Sequence, residues 1–261
     1  MKHELQELYR YRELLYTIAR RDIKVRYKQS VMGFFWAILM PILIIMSGII
    51  VRYAYALAAH TPLRTADIAS IAVKSLPWAF FVSSIRFSCS SLTTNRELVT
   101  KVYFPKAILP SAAVLASLFD FFVASTALVA LLLVFKSGWS VYLLWIPVLL
   151  VAMVLLATGI GLLVSAAGLF FRDVKFIVEV LLTFGIFFTP VFYDVRMLGA
   201  KGKWLLLNPV APILDGLSTS IVEHQPPQLP WLLYGFGFGL VAIIAGYIFF
   251  KHLEPAFAES I

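Results

Sequence analysis

Four carboxylates stand in or beside apolar stretches of this 261-residue sequence: Asp120, Glu179, Asp194 and Asp215. Set at connected depths, such groups relay protons in secondary transporters. Here they are isolated from one another. Arg86 is the one basic residue deep in an apolar run. His3, His60, His224 and His252 are scattered, with no HExxH spacing. The single cysteine, Cys89, excludes an intrachain disulfide and a cysteine-cluster metal site. No GxSxG nucleophile elbow is present. The nearest approach to a P-loop, Gly199-Ala200-Lys201-Gly202-Lys203-Trp204, lacks the first glycine spacing and the hydroxyl residue. The chain therefore carries polar groups inside an apolar frame but no engine of its own, and no cofactor or metal is expected on it.

The frame is a membrane one. The chain is 61% hydrophobic and 14% charged, with a mean hydropathy of +0.89. Soluble domains carry about 25% charged residues. The net charge of +8 does not point to nucleic acid, because the basic residues cluster at span ends, as orientation signals do. The N-terminus is too charged, and the first apolar run too long, for a cleavable signal peptide.

Everything hangs on residues 14–43, LLYTIARRDIKVRYKQSVMGFFWAILMPIL. Leu8, Tyr11, Leu15, Ile18 and Val25 recur at steps of three and four, one helical face that Asp22 interrupts. Arg10, Arg12, Arg20, Arg21, Lys24, Arg26 and Lys28 crowd the rest. Such a helix lies on an anionic membrane surface, and the chain then enters the bilayer. Gly33–Val51 reads as span one, with Pro41 inside it, and 52–75 as an extracytoplasmic connection. Span two, 76–92, is the least apolar and should face protein or water. Residues 95–106, NRELVTKVYFPK, form a short charged connection. Spans three and four are 108–135 and 141–169. A sharp turn at 170–175 leads to span five, 176–193. The run 204–222 is broken by Pro209, Pro212, Asp215 and Gly216 and fits a re-entrant or interfacial pair. Span six is 229–250, and 251–261 is a tail.

The expected fold is an all-α membrane protein. It has six transmembrane helices, an N-terminal amphipathic interfacial helix, and a re-entrant or periplasmic helical pair before the last span. Residues 1–30 form the cytoplasmic interfacial helix and 31–261 the permease domain. The N-terminus, 95–106, 170–175 and the tail together hold twice the Lys and Arg of the opposite connections. Positive-inside orientation then puts both termini in the cytoplasm.

Four stretches carry a resemblance: RDIKVRYKQSVMGFFWAILMPIL (21–43), LVTKVYFPKAILP (98–110), FFRDVKFIVEVLLTFGIFFTPVFY (170–193) and LNPVAPILDGL (207–217). In this order and spacing they resemble the membrane subunit of bacterial ABC exporters for O-antigen and related lipid-linked polysaccharides, teichoic-acid export permeases included. Arg86 and Asp120 stand outside that pattern. The resemblance implies a homodimeric channel in the inner membrane, two separate ATP-binding subunits that hold ATP and Mg, a lipid-linked polysaccharide substrate, and contact with membrane lipids. It places ATPase coupling on Arg21, Asp22, Lys24 and Arg26, on Glu97, Lys101, Phe104 and Pro105, and on Arg172 and Asp173. It places the substrate path on spans two and five and the segment after them. There Trp78, Phe80, Phe81, Phe187, Phe188, Phe192, Tyr193 and Trp204 offer aromatic faces to sugar rings, beside Arg86 and Glu179. A permease for small lipids or drugs, and a membrane-embedded transferase, are the alternatives. The second would need acidic or His residues grouped at one membrane face.

Depth selects a partner for Arg86. It lies eight residues before Thr94, roughly 12 Å along a helix. Glu179 lies six after Asp173, about 9 Å, and Asp120 fourteen after Lys106, about 21 Å. Glu179 matches, so Arg86 and Glu179 are expected to face each other beside the path.

Overall fold

The computed structural model describes residues 10–28, 35–58, 60, 62–135 and 138–257. Leu8, the start of span one at Gly33, Lys136 and residues 258–261 lie outside the described residues. Among the described residues there are helices, turns and no strand. The α-helices are α1 (Arg12–Lys28), α2 (Phe35–Ala58), α3 (Thr65–Thr94), α4 (Arg96–Lys101), α5 (Ile108–Val134), α6 (Trp145–Phe170), α7 (Asp173–Gly185), α8 (Val210–Ile221) and α9 (Leu229–Leu253). Five of them, α2, α3, α5, α6 and α9, are long and apolar enough to cross a membrane.

Two expectations shift. The connection expected at 52–75 shrinks to 59–64, because α2 runs on to Ala58 and α3 begins at Thr65. Arg52, Asp67 and Lys74 are therefore helical residues, and each charge has a partner: Arg52 pairs with Asp67 at 3.1 Å and Lys74 with Asp194. Of the segment expected as span five, 176–193, only 176–185 is helical, the later part of the 13-residue α7. Pro190 cannot donate a helical N–H and restricts Thr189 before it. The chain leaves the helix in turns, held by Phe188 N–H to Gly185 O at 3.1 Å and the Thr189 hydroxyl to Gly185 O at 2.9 Å.

α3 is the central helix. More of it is buried than of any other long apolar helix, and it packs on both α5 and α6. Its polar residues sit inside the bundle: Ser75, Ser84 and Ser88 are fully buried, and Ser75 and Ser84 have no hydrogen-bond partner among the described residues. Ser88 donates to Pro110 O across to α5 at 3.1 Å, and Ser91 to its own helix. Ile85, Val114, Met153, Leu156 and Leu214 fill the space around it. α6 and α9 meet backbone to backbone. A methyl group at Gly159 would sit 2.3 Å from the Ala242 carbonyl carbon, and one at Gly246 2.3 Å from Gly159 O. Small residues alone permit such a crossing.

A second core closes one end of the bundle. Ile18 and Ala19 of α1 join Leu92, Val99, Phe104, Ile108, Phe250 and Phe257. The expected tail is thus partly core: Phe257 is 1% exposed and packs edge-on against Phe250. The face expected on α1 also turns. Val25 is 67% exposed, whereas Arg26, one residue on, is drawn toward the bundle. The inward stripe runs through Leu15, Ile18, Asp22 and Arg26 at steps of three and four. Asp22 does not interrupt it, because its carboxylate is held by Arg21 at 2.8 Å.

Candidate functional site

Arg86 of α3 and Glu179 of α7 meet as a fork. Arg86 Nε donates to Glu179 Oε1 at 2.7 Å, and an Arg86 terminal nitrogen to Oε2 at 2.8 Å. Two parallel bonds to one carboxylate are the strongest geometry open to this pair. The depth argument chose this partner, and the structure has it. Both side chains stay partly open, at 45% and 38% exposure. Arg86 lines a cavity of about 580 Å³ bounded by α1, α2, α3, α5 and α7, together with Trp78, Ser83 and Phe87.

The same cavity holds a second charge pair. Arg26 donates to Asp120 Oδ2 at 2.6 Å, and the Tyr27 hydroxyl to Oδ1 at 2.5 Å. The Arg26 guanidinium also lies over the Phe87 ring, 3.7 Å from its centre. Arg26 was expected on the ATPase face. It turns inward instead, because Asp120 would otherwise be an unpaired carboxylate in a membrane helix.

The expected aromatic set does not converge on one surface. Trp78 and Phe80 border the cavity but are only 4% and 3% exposed. Phe81 is 7% exposed and tilted against Trp78. Phe192 is 6% exposed and lies where a side chain at Gly48 would stand, wedged against α2 and α3. Neither Phe81 nor Phe192 presents a ring to a passing polymer, a correction that follows from close packing. Phe187, Phe188 and Trp204 are exposed at 59%, 70% and 74%. Tyr193 donates its hydroxyl to Phe187 O at 2.8 Å and so fixes the turn after α7.

The coupling residues also divide. Arg21 reaches from α1 to Asn95 at 2.6 Å and holds α1 against the end of α3. Lys24, Glu97, Lys101, Arg172 and Asp173 are exposed. Lys101 and Glu97 form a loose surface pair at 3.7 Å. Phe104 and Pro105 are buried in the second core and offer nothing to a partner. Tyr103, 87% exposed, stands at the tip in their place. Its position one residue before a buried phenylalanine in extended chain, where side chains alternate, is the signal that could have found it.

A third polar cluster escaped the sequence reading. At the opposite end of the bundle the Lys74 ammonium, 1% exposed, donates to Asp194 Oδ1. Ser70 hydrogen-bonds Ser218 of α8 at 2.8 Å and Asp194 at 3.4 Å. Arg196 pairs with Glu223 at 2.9 Å. Burial raises the Asp194 carboxyl, but Lys74, Arg52 and the Ser70 hydroxyl outweigh it and hold the group below the usual carboxylate range. Asp215, nearby on α8, is pushed up, chiefly by burial. This cluster ties the 194–222 segment onto α3.

Three curated relatives match this chain along nearly all its length, and each bears the name O-antigen export system permease protein RfbA. The one from Myxococcus xanthus is 28% identical over 98% of both chains. Two from Klebsiella pneumoniae are 29% and 26% identical over 99% of this chain and 98% of their own. Residues 13–222, from the first turn of α1 to the end of α8, match the ABC-2 type transporter family. A helical bundle with five helices long and apolar enough to cross a membrane, a basic helix and a short charged helix at one end fits such a subunit; the chain belongs to the ABC-2 type transporter family.

Proposed function

We propose that this chain is the permease subunit of an ABC exporter that moves a lipid-linked, O-antigen-like polysaccharide across the bacterial inner membrane. The observation that carries the reading is the full-length likeness to O-antigen export permeases, together with the absence of any P-loop in this sequence. Two copies form the channel, and two ATP-binding subunits supply the energy. They dock on the end that carries α4, Tyr103, Lys24, Arg172 and Asp173.

Both termini then face the cytoplasm, which demands an even number of crossings. The five long helices supply five. α7 supplies the sixth: its 13 residues rise about 20 Å, and the turns after Gly185 continue toward the far side of a roughly 30 Å hydrocarbon core. α8 and the 3-10 stretch Val195–Leu207 then form the periplasmic pair before the last span. Residues 1–30 act as the interfacial element and 31–261 as the permease domain. Arg86 lies where a lipid diphosphate would meet it once the cavity opens, and the same opening would have to uncover Trp78 and Phe80, 4% and 3% exposed here, before they could touch sugar or lipid.

Co-reconstitution with the cognate ATPase tests this. ATP should drive a lipid-linked glycan into the lumen of inside-out proteoliposomes. ATP turnover without glycan movement, across O-antigen, capsule and teichoic-type lipid-linked glycans, would overturn the substrate class.

A further inference from the structure

We infer that Asp120 is the joint through which the interfacial helix decides whether α3 and α7 stay together. The inference rests on the exporter reading for what moves α1, and on the structure for what that motion does. α1 ends at Lys28 and α2 begins at Phe35, so a displacement of α1 reaches span one within a few residues. It reaches Asp120 directly. Each Asp120 oxygen has its own donor, Arg26 on one and Tyr27 on the other. The Arg26 and Asp120 side chains are 16% and 21% exposed, so neither charge is dissolved in bulk water. Burial and the Asp120 carboxylate keep the Tyr27 hydroxyl protonated, so it serves as a donor.

Two cations line the cavity, Arg26 and Arg86, and the ring of Phe87 lies under Arg26. Arg86 is taken by Glu179. Withdrawal of α1 removes Arg26 from Asp120 and strands a carboxylate in a low-dielectric cavity, a state that costs more than the pair it replaces. The other cation lining that cavity is Arg86. Two carboxylates then compete for one guanidinium. If Asp120 wins, Glu179 is released, and the fork tying α7 to α3 opens. Arg86 thus has two alternative partners, and the position of α1 selects between them. That is a discrete two-state element, which coupling between distant sites requires. Arg26, Tyr27 and Asp120 are positioning residues in this scheme and need touch no substrate.

The test measures the distance between α3 and α7 in the assembled complex with its ATPase. Spin labels go on Thr94→Cys and Lys175→Cys in a Cys89→Ala background, with and without ATP and vanadate. The parent should show a nucleotide-dependent change in that distance. Asp120→Asn should suppress it, and the reciprocal exchange Arg26→Asp with Asp120→Arg should restore it. Arg26→Lys keeps the charge but loses the planar guanidinium that lies over Phe87, so it remains informative if Asp120→Asn fails to assemble; it should reduce the change. In a Glu179→Gln background, Asp120→Asn should add no further loss of nucleotide response. A parent with no distance change, an undiminished change in Asp120→Asn or Arg26→Lys, or an additive loss in the Glu179→Gln background overturns the joint. None of these readouts uses glycan, so failure of the exporter reading is scored separately, by transport in the parent complex.

Discussion

Arg86 and Glu179, 93 residues apart in the chain, are joined by two parallel hydrogen bonds of 2.7 and 2.8 Å between α3 and α7. Replacing either by alanine should impair export, and the double replacement should lose less than the sum. Because both side chains are more than a third exposed, solvent screening limits the coupling to about 0.5–1 kcal/mol. Transport rates of the four proteins in one double-mutant cycle measure it. Strictly additive losses would show that the two residues act independently.

Lys74 gives a larger effect. Asp194→Asn leaves a buried ammonium without its counter-charge, which costs roughly 3–5 kcal/mol. Lys74→Met in the same protein should recover much of that loss, because the stranded charge is gone. Thermal unfolding of the purified protein in one detergent reports both. A single Asp194→Asn protein as stable as its parent would mean that Lys74 has another partner.

The pH dependence of the same cluster has two opposite arms. Asp194 is held below its ordinary range, so its contribution is full above the usual carboxylate pKa. It is lost as pH falls through the lowered value. Asp215 is raised, so its contribution is full in acid and is lost as pH rises through the raised value. The groups acting on Asp215, after burial itself, are Lys74, Asp194, Arg196 and Glu223. Asp215→Asn should therefore flatten the fall in stability above the carboxylate range, with melting curves run from acid to neutral pH as the measurement. A profile unchanged from the parent would dissociate Asp215 from the cluster.

At the end that carries α4, charge reversal at Glu97 and Lys101 should preserve expression and abolish substrate-stimulated ATP turnover. Tyr103→Ala should do the same, since that ring is 87% exposed and stands where a docking anchor would. Phe104→Ala should act differently. Its side chain is in the second core, so the expected result is a loss of stability of about 3–5 kcal/mol, read by thermal unfolding. Full coupling in both Tyr103→Ala and the charge-reversed protein would place the ATPase contact elsewhere.

Both termini are expected in the cytoplasm, on the positive-inside argument. A reporter fused after Ile261 should be active there. Periplasmic activity would overturn the orientation and with it the docking end.

Long apolar runs were legible because hydropathy alone marks them: α5 and α9 fall within a few residues of where the sequence placed them. The errors lie where charges are paired. Arg52, Asp67 and Lys74 made 52–75 look like a connection, since hydropathy counts a charge without seeing its partner. Asp22 seemed to interrupt the inward face of α1 for the same reason. The Arg86–Glu179 fork was legible from depth along two helices, a one-dimensional argument. Asp120 was passed over because depth measured along its own helix could not reveal that α1 turns Arg26 inward to meet it. The aromatic set divides on a different ground: composition shows which rings could touch a sugar, but only packing shows that Trp78, Phe80, Phe81 and Phe192 are buried while Phe187, Phe188 and Trp204 are open.

The glycine crossing of α6 and α9 divides the labour of the molecule. With Gly159 and Gly246 at backbone contact, these two helices can neither roll nor slide past each other without collision. They serve as a strut against which other elements do work. α2 and α7, whose outer faces are broadly open, are expected to move against this fixed frame. Amide exchange should be slowest along 145–170 and 229–253 and should stay so through the ATP cycle, while 173–193 speeds and slows with nucleotide.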